Sequence, residues 1–67
     1  MHVTLNGKPT TLAEGATVRS LLDGLELAPV RVAVEINEDL VPRRTFDRTV
    51  IREGDIVEIV TFVGGGS

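Results

Sequence analysis

The side chains able to do chemistry are few, and their spacing assembles no active site. His2 is the only histidine and the chain has no cysteine, so a His/Cys metal set cannot be built. His2 reads as a structural or neutral surface residue. Ser20 and Ser67 have no evident histidine base, which removes a nucleophile–base–acid triad. The 10 acidic residues are scattered from Glu14 to Glu58, and paired acid–base work needs a concave pocket to hold both partners. Arg43, Arg44, Arg48 and Arg52 alternate with Asp47 and Glu53, which reads as a solvated mixed-charge segment before a phosphate site. No glycine-rich motif lies between a strand and a helix, so a phosphate cradle is absent too. The expected catalytic set is empty, the expected metal set likewise, and the chain reads as a substrate or partner rather than a catalyst.

One feature remains, the run Val63-Gly64-Gly65-Gly66-Ser67 directly after the apolar segment Ile56 to Phe62. Three glycines bury nothing and maximise backbone freedom. Extended, residues 63 to 66 reach roughly 14 Å past the last strand at about 3.5 Å per residue. Gly64 and Gly65 suit a passage too narrow for any Cβ, and a flexible arm ending in a carboxylate makes sense where that carboxylate is the working group. The same composition also describes a Gly/Ser spacer or a cloning scar. The tail alone weighs the two readings evenly.

Positioning such an arm falls to a small domain. A chain of 67 residues makes one domain, expected over residues 1–62, with 63–67 as its tail. At this size only about 60% of the unfolded surface is buried on folding, so stability must come from close packing of Val, Leu and Ile. The formal net charge of −3 and the absence of Tyr and Trp argue against nucleic acid and suit a basic protein partner. No run of about 18 apolar residues and no secretory leader is visible. No membrane contact and a cytoplasmic location are the expectations.

Val3 and Leu5 alternate with polar neighbours, Asn6-Gly7 supplies a tight turn, and Thr10, Thr11 and Leu12 follow, a hairpin signal. Thr17 is placed to cap a helix carrying Val18, Leu21, Leu22 and Leu25. Three positions after the cap stands Ser20, not Glu or Gln, so a full capping box is not expected. Gly24 and Pro29 bracket the helix exit. Val30, Val32, Val34 and Ile36 then alternate as a half-buried strand, residues 38–53 read as irregular with a short strand at Leu40-Val41, and a last strand follows over 56–62. The last strand is expected beside the first, in parallel. This is an α+β, β-grasp (ubiquitin-like) arrangement, a small mixed sheet with one helix across one face.

The last strand shows Val57, Ile59 and Thr61 on one side and Ile56, Glu58, Val60 and Phe62 on the other. A single helix covers one face only, so apolar side chains remain in solvent, which marks a binding face. Phe62, at the handover to the tail, is the expected docking anchor, with Val60 beside it. Two other readings stay open: a twist near Glu58 that buries Val60 and Phe62, and a Phe62 that belongs to the core.

On these residues the sequence resembles the ThiS family of sulfur carriers in thiamine biosynthesis, across nearly the whole chain. The resemblance rests on Leu5-Asn6-Gly7, Thr17-Val18 with Leu21-Leu22, Val32-Ala33-Val34-Glu35-Ile36-Asn37, Val41-Pro42-Arg43, Gly54-Asp55, and Val60 through Gly66. It implies that the carboxylate of Gly66 is adenylated by an ATP-dependent, ThiF-like activating enzyme. ATP and Mg would be used by that partner, with no cofactor held tightly by the chain. A persulfide donor would then give a thiocarboxylate, and a ThiG-like thiazole synthase would take its sulfur for the thiazole ring. Having no cysteine, the chain cannot carry sulfur as its own persulfide. Two positions depart from the family pattern: Phe46 stands where many members have Trp, and Ser67 follows the glycine at which the active form ends. On the resemblance Ser67 is clipped, is a cloning remnant, or signals another role. Carriers for molybdopterin, cysteine or tRNA thiolation, a ubiquitin-like modifier of lysines, and a bare β-grasp binding module are the rival readings.

Overall fold

The computed structural model describes residues 1–62, and its first element follows from the dipeptide Asn6-Gly7. Both residues take positive φ, 49° and 81°, as a two-residue hairpin turn matched to strand twist requires. Strands β1 (His2–Leu5) and β2 (Lys8–Thr11) pair antiparallel across it. Pro9 is tolerated because β2 lies at the edge of the sheet, where a missing N–H costs no ladder bond.

Helix α1 (Val18–Gly24) starts at Thr17, and its capping corrects the expectation drawn from Ser20. The Ser20 backbone N–H donates to Thr17 Oγ1 at 3.1 Å, and the Thr17 N–H donates to Ser20 Oγ at 2.9 Å. The serine hydroxyl does at short range what a Glu or Gln carboxyl oxygen does in the usual box. The two preceding helical N–H groups are met from outside: Val18 donates to the Thr49 carbonyl at 3.0 Å and Arg19 to the Phe46 carbonyl at 2.9 Å. A helix start that would leave its donors unpaired is therefore closed by the stretch after Pro42.

The helix is shorter than its stripe suggests. Val18, Leu21 and Leu22 are buried, whereas Leu25 is the C-cap and exposed. Glu26, not Gly24, takes the left-handed position, with φ 60°. Its N–H reaches the Asp23 carbonyl at 3.1 Å, and the Leu27 N–H reaches Leu22 at 2.9 Å, the paired bonds of a Schellman ending.

The strand expected from Val30 begins two residues later. Pro29–Arg31 forms a 3₁₀ turn and leaves Val30 exposed, because proline fixes φ and donates nothing to a ladder. Strand β3 (Val32–Ile36) then turns at Asn37-Glu38 into β4 (Asp39–Val41), both turn residues at positive φ. Strand β5 (Ile56–Thr61) enters the middle of the five-stranded sheet, in the order β2-β1-β5-β3-β4. It runs parallel to β1 and antiparallel to β3. The β-grasp arrangement is the observed one.

The segment read as irregular contributes to the core. Between a 3₁₀ turn at Arg43–Thr45 and β5, Phe46 and Ile51 are 3% and 1% exposed. They pack with Val3, Val18, Leu21, Leu22, Val32, Val34, Val41, Val57 and Ile59 into a single cluster. Each such side chain, fully buried, contributes about 1.5–3 kcal/mol. Phe46 is a core residue.

Candidate functional site

Strand β5 delivers the chain to its C-terminal run, so the site is built from what fixes β5. Its neighbours hold it by more than ladder bonds. Beyond the parallel pairing with Thr4 and Leu5, the Asn6 side chain imitates a strand backbone. The Ile59 N–H donates to Asn6 Oδ1 at 2.8 Å, and Asn6 Nδ2 donates to the Ile59 carbonyl at 3.2 Å. On the other flank the Ile56 N–H donates to Asn37 Oδ1 at 3.0 Å, and Asn37 Nδ2 donates to Asp55 Oδ1 at 3.0 Å. Both asparagines occupy the first position of a two-residue turn, where Asn tolerates positive φ. The turn sets their backbone, and the freed amides pin the central strand.

At the far end, the Phe62 N–H donates to the Arg31 carbonyl at 2.8 Å. Arg43 braces the same corner, its Nε donating to the Pro29 carbonyl at 2.9 Å and Nη2 to the Val32 carbonyl at 3.3 Å. Arg43 thus leaves the solvated mixed-charge group in which the sequence placed it. Arg48 stays there, 3.9 Å from Asp47 on the surface.

The alternation of β5 holds. Val57 and Ile59 are buried, while Ile56, Val60 and Phe62 are 51%, 60% and 48% exposed. No twist near Glu58 draws Val60 or Phe62 inward. Register puts Ala33 beside Val60, Glu35 beside Glu58 and Leu40 beside Glu35, so these residues share the face that no helix covers. Val60 and Phe62 sit on this surface, next to the place where the chain passes to Val63. Gly64, Gly65 and Gly66, with Val63 and Ser67, lie outside the described residues.

The remaining sequence candidates are not brought together. His2 lies exposed at one end of the sheet, its backbone N–H donating to Glu53 Oε1 at 2.9 Å. Ser20 is occupied by the helix cap. Among the described residues no three His, Cys, Asp or Glu side chains cluster as a metal site. No helix there is long and apolar enough to cross a membrane.

Sequence reasoning missed Asn6 and Asn37 as strand clamps and Arg43 as a brace. A signal for the first two existed, an Asn opening a two-residue turn beside a strand. For Arg43 the signal was its place directly after Pro42, which takes it out of any ladder.

The model of the ThiS family matches residues 3–66. The thiazole synthase of Magnetococcus marinus is 46% identical over 66 residues, covering 98% of this chain and 20% of that protein. The chain thus spans about a fifth of that relative's length. The sulfur carrier protein ThiS of Thermus thermophilus is 36% identical over 64 residues, covering 96% of this chain and 98% of that one. The crystal structure of a thiamine biosynthesis protein (ThiS) from Geobacter metallireducens superposes with a TM-score of 0.83 at 43% identity, covering 98% of this chain and 100% of that chain.

Proposed function

The chain belongs to the ThiS family, and on that membership we propose that it is a sulfur carrier of thiamine biosynthesis whose working group is the carboxylate of Gly66. The observation that carries the reading is a family match running through Gly64, Gly65 and Gly66 on a domain whose described residues gather no catalytic cluster.

A carboxylate is a poor electrophile until one oxygen becomes a leaving group. Its attack on ATP, with release of pyrophosphate, makes an acyl adenylate. A persulfide sulfur then displaces AMP to give an acyl disulfide. A second thiol attacks the donor's sulfur in that S–S bond, so that a donor–thiol disulfide leaves and a thiocarboxylate remains. The chain performs none of these steps. A ThiF-like enzyme supplies ATP, Mg and the pocket, and a ThiG-like synthase consumes the sulfur. A thiazole synthase that carries a stretch similar to this chain supports the second partner. A cytoplasmic location is part of the same proposal. Val60 and Phe62 dock the domain, and Gly64 and Gly65 enter the partner's channel.

Exchange of pyrophosphate into ATP, catalysed by a purified ThiF-like enzyme, tests the reading. A chain ending at Gly66 supports exchange, and the chain with Ser67 supports little, since a site closing on glycine must then admit a Cβ, a hydroxyl and one more residue. Gly65→Ala abolishes most exchange while the melting temperature stays unchanged. Equal rates for all three chains would mean that Ser67 is tolerated and that neither the tail's length nor its steric fit is critical. No exchange with the chain ending at Gly66 would remove Gly66 as the activated residue.

A further inference from the structure

The open face of the sheet carries an arrangement that folding does not explain. In the antiparallel pair β3–β5, Glu35 stands directly opposite Glu58. Cβ atoms in such pairs are about 4.5–5.5 Å apart, and like charges there are destabilising. Both residues are exposed, and neither joins an ion pair among the described residues. Apolar side chains surround them: Val60 and Ile56 along β5, Ala33 on β3 and Leu40 on β4. No strand places a lysine or arginine on this face. The one basic strand residue, Lys8, pairs with Leu5 and so shares the helix side. Arg19 lies on α1, and Arg43 and Arg44 lie in the 3₁₀ turn after β4. Arg31 lies in the 3₁₀ turn before β3, next to Phe62 at the end of the face and four residues from Glu35.

We propose that the Glu35–Glu58 pair is the receptor for an arginine side chain on the adenylating partner, at the centre of the apolar docking face. The proposal rests on the carrier reading and deepens it by giving the partner's surface a chemistry: one guanidinium within an apolar patch. Two carboxylates at cross-strand spacing match the planar fork of a guanidinium, which donates to two acceptors at once. Docking removes their mutual repulsion, and the ring of Ala33, Leu40, Ile56 and Val60 excludes water around the new pair, which strengthens it. Apolar contact alone would tolerate many registers on a flat face. The charged pair selects one, and so sets where Phe62 lies on the partner.

The test is calorimetric titration of the full-length chain into a purified ThiF-like enzyme without ATP, at several NaCl concentrations. The unaltered chain is compared with E35Q, E58Q and E35Q/E58Q, all of which keep side-chain volume. The double variant is expected to bind roughly tenfold more weakly, the loss of one charge-assisted interaction, with a flatter dependence on salt. In the free chain E58Q is expected to melt at a higher temperature, because the repulsion is gone. Equal or tighter binding by the double variant would reduce the carboxylates to keeping an apolar face soluble, and would overturn the proposal. Failure of the unaltered chain to bind would overturn it as well. Charge-dependent binding with no pyrophosphate exchange would leave the docking inference standing and remove the carrier reading instead.

Discussion

Neighbouring residues of β5 have opposite fates. Val57 and Ile59 give up their surface to the core, whereas Ile56 and Val60 keep more than half of theirs. Both sets are apolar, and both are held by the same clamps, Asn6 on one flank and Asn37 on the other. The difference lies in what covers each face. Helix α1 and the stretch through Phe46 and Ile51 close one, and no helix among the described residues covers the other. A single strand thus splits its labour, with one face stabilising the domain and the other available for recognition.

Substitutions at adjacent positions should separate the two roles. Ile59→Ala removes a buried side chain and is expected to cost about 2–5 kcal/mol. For a marginal domain of this size, urea unfolding should then show a largely unfolded chain at ambient temperature. Phe62→Ala acts on the other side of the comparison. Binding to the adenylating partner should weaken by about 2 kcal/mol or more, as for a truncated aromatic anchor, while the unfolding midpoint barely moves. A Phe62→Ala chain that unfolds would return Phe62 to the core and erase the distinction.

Asn6→Gly sharpens the comparison further, because glycine keeps the positive φ of the turn and deletes only the clamp. The part-buried Ile59 N–H and carbonyl lose their side-chain partner, at about 1–2 kcal/mol. Amide hydrogen exchange at Ile59 should accelerate while exchange at Val34 changes only with global stability. The smallest effect is expected at Glu26, an exposed residue at φ 60° just past the end of α1. Glu26→Gly should raise stability by about 1 kcal/mol or less, read from the melting temperature, and leave partner binding untouched.

What was legible in the sequence depended on local periodicity. The alternation in β5 and the Asn6-Gly7 hairpin stand as read, and of the Val18/Leu21/Leu22/Leu25 stripe all but the exposed C-cap Leu25 is buried. The parallel placement of β5 beside β1 followed from the length of the crossover. The positions that differ from the reading answer to particular neighbours, near or far, rather than to a period. Phe46 and Ile51 lie in a stretch with no period, and their burial depends on docking against α1 through the Arg19 and Val18 N–H groups. The spacing of Val30 fits a strand, yet Pro29 holds it in a turn. Ser20 is not a capping-box residue by type, yet the geometry of its short hydroxyl completes the cap. The glycines of the tail carry no pattern that a fold could test, and their role is argued from chemistry alone.

The central claim is that sulfur is carried at the backbone terminus of Gly66. Intact-mass analysis tests it most directly, on a chain ending at Gly66 and incubated with ATP, a ThiF-like enzyme and a persulfide donor. The account predicts a product in which one oxygen is replaced by one sulfur, with fragmentation placing the change at Gly66. An unchanged mass, under conditions that convert an established carrier, would contradict it.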